Sequence, residues 1–122
     1  LTDGERILQS YPFQLSGGMQ QRLAIALSLI LKPSIVFADE PTSALDMLVQ
    51  ASVLDLMKEV TQALGATVII VTHNIKAAAR IANSIGVMNK GQLVEVGSSE
   101  EVMAHPKDEY TRILLDSVTK VV

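Results

Sequence analysis

Apolar residues recur three or four positions apart in two long stretches of this chain. The first stretch covers residues 17–31 and the second covers Met47–Leu64, and this spacing predicts two amphipathic helices. Ser16 stands where the first helix needs an N-cap, and Pro33 ends that helix. Gly65 follows the second helix at the position of a C-cap.

Two short apolar runs without alternation flank the second helix. They cover residues 35–38 and Thr67–Val71, and such runs are typical of strands buried on both faces of a parallel sheet. The order strand, helix, strand indicates an α/β fold, in which ligands bind beyond the carboxyl ends of the strands. The residues directly after these two runs are therefore the first place to look for function.

The rest of the chain predicts shorter elements. Residues 84–88 and 92–96 read as two strands around a turn at residues 89–91, which is a hairpin signal. Three short helices are expected: one capped by Asn74 and running through Ala82, one capped by Ser98 or Ser99 and running to about Ala104, and one over residues 110–118. Residues 1–15 mix polar and apolar side chains and carry no such prediction.

Composition and charge narrow the classes of protein. The 122 residues are 48% hydrophobic and 19% charged, which suits one folded domain and excludes a disordered chain. The net charge of -3 argues against nucleic-acid binding, and the lack of Cys excludes disulfides and thiolate metal sites. The longest apolar stretch, residues 23–31, is far shorter than the roughly 20 residues that span a bilayer. Because the chain begins with Leu1 and has no signal-peptide pattern, we expect an internal or C-terminal piece of a longer protein.

An acidic pair follows the first predicted strand without a spacer. Two adjacent carboxylates at the end of a buried strand are electrostatically costly, and a cation or a reacting group usually compensates that cost. In P-loop ATPases the first carboxylate of such a pair holds Mg²⁺ through water and the second orients the attacking water. Those roles would fall to Asp39 and Glu40. A surface or helix-capping acidic pair is the alternative, and the dipeptide alone favours it.

The first long helix opens on Leu15-Ser16-Gly17-Gly18. Two glycines let backbone N–H groups approach an anion, and a helix start carries roughly half a positive charge. The Ser16 hydroxyl adds a donor, so this segment could contact a phosphate. An ordinary loop with a serine cap is the alternative.

Two further polar residues, His73 and Asp46, have both a functional and a structural interpretation, and His105 has only a structural one. His73 follows the second predicted strand, where its imidazole could donate to a phosphate oxygen or simply lie in solvent. Asp46 precedes the second long helix and could act at a nucleotide or only cap that helix. His105, before Pro106, is expected to be structural or exposed.

The order and spacing of these segments resemble the ATP-binding-cassette (ABC) ATPases over essentially the whole chain. By this resemblance, residues 15–19 are the signature motif, Asp39-Glu40 the Walker B pair, residues 43–46 the D-loop and His73 the switch histidine. Met19 stands at the fifth signature position, where the family usually has Gln.

The resemblance implies a P-loop NTPase, α/β three-layer fold, of which residues 1–122 are the C-terminal half of a nucleotide-binding domain. No lysine of the chain is followed by Ser or Thr, so the G-x-x-x-x-G-K-[ST] loop (Walker A) is missing. We therefore expect this chain not to hydrolyse ATP alone. In the family the missing strand lies next to the strand ending at Val71, so we also expect an unpaired apolar edge and a marginal fold.

ABC domains bind nucleotide between two copies arranged head to tail. The resemblance therefore implies that one set of residues contacts the ATP of a partner domain: Leu15, Ser16, Gly17, Gly18, Met19, Gln20 and Asp46. A second set acts on ATP in the chain's own domain. There Glu40 and His73 would be catalytic, and Asp39 would hold Mg²⁺, usually through water.

Two segments resemble the dipeptide, oligopeptide and nickel importer ATPases in particular. These are residues 46–51 and the tail from His105-Pro106 to Leu114-Leu115, with Lys107, Asp108 and Glu109 inserted before Tyr110. This implies an ATP-hydrolysing subunit that powers import of a peptide-like or metal-chelate solute. It would sit peripherally on the cytoplasmic face of the membrane, with a second nucleotide-binding domain and transmembrane permease subunits as partners. A non-transport ABC ATPase and a catalytically inactive interaction module are the alternatives.

Overall fold

The structure is a computed structural model that describes residues 3–119. The chain divides into two compact units at the junction between Val71 and Thr72.

The first unit is a helix-rich segment around one pair of parallel strands. Its elements are α1 (Gly4–Leu8), a 3₁₀ turn (Pro12–Gln14), α2 (Gly17–Leu29), β1 (Ile35–Asp39), α3 (Met47–Leu64) and β2 (Thr67–Val71). Both long helices and both strands are confirmed, although α2 ends two residues before the predicted Leu31. Lys32, which follows the end of α2, has a φ of +50°. It precedes Pro33, and a proline disfavours the helical conformation in the residue before it. Helix α1 was not predicted.

The predicted caps of α2 and α3 are confirmed. The Ser16 hydroxyl accepts the N–H of Met19 at 3.3 Å, and the Asp46 carboxylate accepts the N–H of Val49 at 3.0 Å. Gly65 ends α3 in the left-handed conformation, with φ +66°. A glycine is suited to this position because a Cβ penalises the left-handed region.

Strands β1 and β2, which α3 connects, pair in parallel, with Ile35 opposite Thr67 and Asp39 opposite Val71. This βαβ arrangement confirms the α/β fold class. The prediction that β1 and β2 are buried on both faces is wrong, because every second residue of each strand is exposed. Phe37, for example, is 75% exposed. Among residues 3–119, β1 and β2 pair only with each other, and no layer covers the second face of this strand pair.

The second unit is built around the predicted hairpin. Its elements are α4 (Ile75–Ile81), β3 (Ser84–Asn89), β4 (Gln92–Ser98), α5 (Ser99–Ala104) and α6 (Glu109–Thr119). Strands β3 and β4 pair antiparallel with a bulge at Val87–Met88. The two turn residues, Lys90 and Gly91, have φ of +49° and +79°, which is the pattern of a type I′ turn.

Each unit has its own buried residues. In the first unit they come from α1, the loop before α2, the end of α2 and the middle of α3: Ile7, Leu15, Leu29, Val53, Leu54 and Met57. In the second unit Ile75, Ile85, Val87 and Val102 are buried and pack against half-buried side chains of α6. None of the helices in residues 3–119 combines the length and apolar character needed to cross a membrane.

Candidate functional site

The start of α2 is held by the loop that precedes it. Leu15 is buried and anchors this loop, whereas Ser16 and Gly17 are exposed. The side chain of Gln20 folds back and donates to the carbonyl oxygens of Pro12 and Leu15, at 2.6 and 3.2 Å. The first N–H groups of a helix have no carbonyl partner within the helix, and because Ser16 takes that of Met19, those of Gly17 and Gly18 are the donors that this turn can offer.

The start of α3 repeats the arrangement. Asp46 caps the helix, and the side chain of Gln50 donates to the carbonyl oxygens of Thr42 and Leu45 at 3.0 and 2.9 Å. In both helices a glutamine four residues after the cap ties the preceding loop to the first turn. This role of Gln50 was not predicted, although the shared spacing of cap and glutamine was visible in the sequence.

An open cleft of about 400 Å³ lies between the starts of α2 and α3. It brings together four of the predicted site residues: Ser16, Gly17, Gly18 and Asp46. Leu15, Met19 and Gln20 do not line this cleft. Leu15 lies beneath the loop, the N–H of Met19 is taken by Ser16, and Gln20 is engaged with the loop carbonyls.

The two glycines of the signature segment allow α2 and α3 to pack closely. Gly18 is buried, and a Cβ added to it would lie 2.7 Å from Cγ1 of Val49. A Cβ on Gly17 would lie 3.2 Å from Cδ2 of Leu45. This packing function was not predicted, since the sequence analysis assigned both glycines to anion contact alone.

A hydrogen bond joins the same helices further along the cleft. Nη2 of Arg22 donates to Oγ of Ser52 at 2.6 Å, and both residues line the cleft. Arg22 therefore places a positive charge beside the start of α2. No role was predicted for Arg22 from the sequence.

The acidic pair stands at the carboxyl end of the parallel strands. Asp39 is the last residue of β1 and is exposed. Glu40 follows in the left-handed region, with φ +46°, and its N–H donates to the carbonyl oxygen of Val71 at 2.8 Å. A non-glycine residue is uncommon in this region and is held there by its surroundings. Neither carboxylate lines the cleft between α2 and α3.

His73 belongs to the second unit and is exposed directly after β2. Its neighbour Asn74 caps α4 by accepting the N–H of Ala77 at 3.1 Å, as predicted. His105 is exposed at the end of α5, which agrees with its expected role. Within the described residues, no group of three or more His, Cys, Asp or Glu side chains forms a metal cage.

A protein-family comparison covers most of the first unit and the start of the second. The family described as "AAA domain, putative AbiEii toxin, Type IV TA system" matches residues 6–78, more than half of the chain. The chain belongs to this AAA-domain family. The matched range contains the cleft residues, Asp39, Glu40 and His73.

Curated relatives of this AAA-domain chain are ABC ATP-binding proteins. The chain is 48% identical over 117 residues to the dipeptide transport ATP-binding protein of Caldanaerobacter subterraneus, covering 96% of the chain and 36% of that protein. It is 45% identical over 121 residues to the metal-staphylopine import system ATP-binding protein of Staphylococcus aureus, covering 99% and 45%. It is 46% identical over 113 residues to the oligopeptide transport ATP-binding protein of Lactococcus lactis, covering 93% and 33%.

The resemblance to ABC importer ATP-binding proteins is therefore confirmed. Each of the three relatives is described as a transport or import protein, and none as a toxin. The chain spans less than half the length of each of them.

Proposed function

We propose that this chain is part of the ATP-hydrolysing subunit of an ABC importer, and that it contributes to two different nucleotide sites. The observation that carries the proposal is the separation of its polar residues into two groups. Ser16, Gly17, Gly18 and Asp46 line one cleft, whereas Asp39 and Glu40 stand outside it at the carboxyl end of β1. A single nucleotide site formed by this chain alone would need both groups to share one cavity.

The acidic pair would act on ATP bound in the chain's own domain. Mg²⁺ keeps several waters and takes only one or two carboxylates together with phosphate oxygens, which suits one exposed carboxylate, Asp39. The ion would neutralise charge on the β- and γ-phosphates. Glu40 would accept a proton from the water that attacks the γ-phosphorus while the bond to the ADP oxygen breaks. His73 would donate a hydrogen bond to a γ-phosphate oxygen.

The cleft would act on ATP bound by a partner domain. Ser16 accepts the N–H of Met19 with a lone pair, so its hydroxyl hydrogen remains available to a phosphate oxygen. The unpaired N–H groups and the dipole at the start of α2 favour the same anion. Asp46 caps α3 through Oδ1, which leaves its second oxygen as an acceptor toward the partner. Leu15, Met19 and Gln20 would support this turn rather than reach into the cleft.

The transport role rests on the functions of the relatives. These proteins serve dipeptide, oligopeptide and metal-staphylopine systems. We propose import of a peptide-like or metal-chelate solute, with a second nucleotide-binding domain and transmembrane permease subunits as partners at the cytoplasmic face of the membrane. We also propose that residues 1–122 alone do not turn over ATP, because none of their lysines precedes Ser or Thr.

The test is Glu40→Gln in the full-length protein that contains this chain, assembled with its partner subunits. We expect steady-state ATP hydrolysis to fall by about a hundredfold or more, because general bases contribute about that much. ATP should stay bound, since the amide keeps the size of the side chain but cannot accept the proton. Glu59→Gln, on the exposed side of α3, is the matched control and should hydrolyse ATP at the normal rate. Unchanged turnover in Glu40→Gln would contradict the role given to Glu40.

A further inference from the structure

We propose that Gly18 and Val49 form a positioning pair that sets Ser16 and Asp46 at the correct separation for a shared nucleotide. This inference rests on the proposed function of the cleft. It assigns to Gly18 a role different from close approach to a phosphate, and it assigns a role to Val49, for which the sequence analysis predicted none.

The contact between the two residues is the tightest glycine contact in the chain. Of the seven glycines, only Gly18 would place a Cβ closer than 3.0 Å to another atom, at 2.7 Å from Cγ1 of Val49. Real Cβ atoms essentially never approach so closely, so a side chain here requires something to move. The obstacle is a β-branched side chain with few rotamers, and a helical valine cannot simply swing away.

Val49 is also tied to the other side of the cleft. Its N–H is the group that Asp46 caps, at 3.0 Å. A displacement of Val49 therefore moves the residue that holds the Asp46 carboxylate. On the α2 side, Gly18 lies two residues after the cap Ser16. The side chain of Val49 thus links the two caps through one contact and one hydrogen bond.

A hydrogen bond further along the two helices also fixes how α2 packs against α3. Arg22, one turn after Gly18, donates to Ser52, about one turn after Val49, at 2.6 Å. A Cβ at position 18 would have to separate the helices at one end while this bond holds them together further along. We expect α2 to tilt relative to α3, which changes the distance between Ser16 and Asp46. Both residues line the cleft, so its shape changes with them.

Gly18→Ala, Val49→Ala and the double variant separate the two roles of Gly18. They are made in the full-length protein assembled with its partner subunits, and ATP hydrolysis is measured. We expect Gly18→Ala to lower kcat by about tenfold, as overpacking by one methyl group displaces the helices. Val49→Ala removes part of the same contact and should lower kcat by about threefold, and the double variant should match Val49→Ala, because the smaller side chain makes room for the added methyl group.

Failure of rescue would overturn the proposal. If the double variant is as impaired as Gly18→Ala, the glycine serves phosphate approach and not packing. The affinity of the isolated full-length subunit for ATP gives a second readout. It should be unchanged in every variant, because the pair acts on the partner's nucleotide, and a loss of this affinity would also contradict the proposal.

A variant that keeps both glycines tests the same contact if the Gly18→Ala protein does not fold. Val49→Ile adds one methyl group to the same contact from the α3 side and leaves the signature segment intact. We expect a several-fold loss of hydrolysis, roughly as for other small overpacking changes. Normal hydrolysis in Val49→Ile would count against the positioning role.

The Ser16→Ala variant distinguishes failure of the positioning pair from failure of the proposed function of the cleft. If Ser16→Ala leaves hydrolysis unchanged, the cleft does not serve a nucleotide and both proposals fall. If Ser16→Ala impairs hydrolysis but the double variant is not rescued, only the positioning pair falls. Ser28→Ala, further along α2 where the hydroxyl bonds the carbonyl oxygen of Ile25, is the matched control and should behave as the unaltered protein.

Discussion

Single polar residues determine where the elements of this chain begin. Ser16, Asp46, Asn74 and Ser98 each accept the N–H three residues further on, and each starts a helix. Because a cap involves only neighbours in sequence, all four were predictable, the last as one of two adjacent serines. Glu95 differs, since its partners are distant in sequence and no local pattern marked it.

Glu95 is a buried carboxylate that holds the start of α6. Its oxygens accept the N–H groups of Lys107 and Asp108, at 2.5 and 3.4 Å. The adjacent Thr111 hydroxyl and these N–H groups lower the pKa of Glu95 below its ordinary value of 4.5, although burial opposes them. Thr111 Oγ1 makes no hydrogen bond of ordinary geometry within the described residues, so it acts on the carboxylate as a neighbouring dipole.

Glu95→Gln should therefore destabilise the protein in a pH-dependent way. A group whose pKa is lowered on folding contributes stability above its unfolded pKa, and this contribution is lost as the pH falls through the folded pKa. We expect the thermal midpoint of the full-length protein to drop most at pH 7, with the difference between variant and unaltered protein closing below about pH 4.5. Glu59→Gln, which removes an exposed carboxylate, is the matched control and should leave the thermal midpoint at pH 7 nearly unchanged. An equal drop at all pH values would contradict the role of the charge.

At the scale of elements, the positions of helices and strands follow local rules, but the burial of the strands does not. Helix α3 has the predicted bounds, because its cap, its apolar spacing and its terminal glycine agree. Strands β1 and β2 are also where the apolar runs predicted them. Their burial was predicted wrongly, because an apolar strand is buried only if other elements cover it.

The end of α3 offers a test of backbone conformation without packing. Gly65 has φ +66° and no atom lies within 4 Å of a Cβ placed on it, so a side chain would cost only backbone strain. We expect Gly65→Ala to lower the stability of the full-length protein by about 1 kcal/mol, or a few degrees in thermal midpoint. Gly4→Ala has equal space and no positive φ, and should be neutral or slightly stabilising. Equal effects at both positions would show that φ is not the cause.

At the scale of the whole molecule, the apolar strand pair is the main liability. Ile35, Phe37, Ile69 and Val71 are exposed to between 43% and 75%. Both strands also have an outer edge that no other strand among residues 3–119 pairs with. Exposed apolar strands with free edges are templates for association between chains.

The 122-residue chain expressed alone should therefore self-associate. We expect oligomers by light scattering and no cooperative transition in calorimetry. Phe37→Thr keeps the β-propensity of β1 and removes its most exposed apolar side chain, so it should reduce the oligomer fraction. A monomer that stays in solution and melts cooperatively would contradict this prediction.

The sequence by itself determined the helices after α1, the caps of four of them, the hairpin, the order of the parallel strands and the family, because these depend on spacing and on motifs read along the chain. Only the tertiary structure decided which residues share the cleft, which side chain a Cβ at position 18 would meet, and which strand faces are uncovered. The physical reason is distance along the chain. Arg22 and Ser52 touch although thirty residues separate them, and such contacts depend on how two helices pack rather than on the residues beside either one.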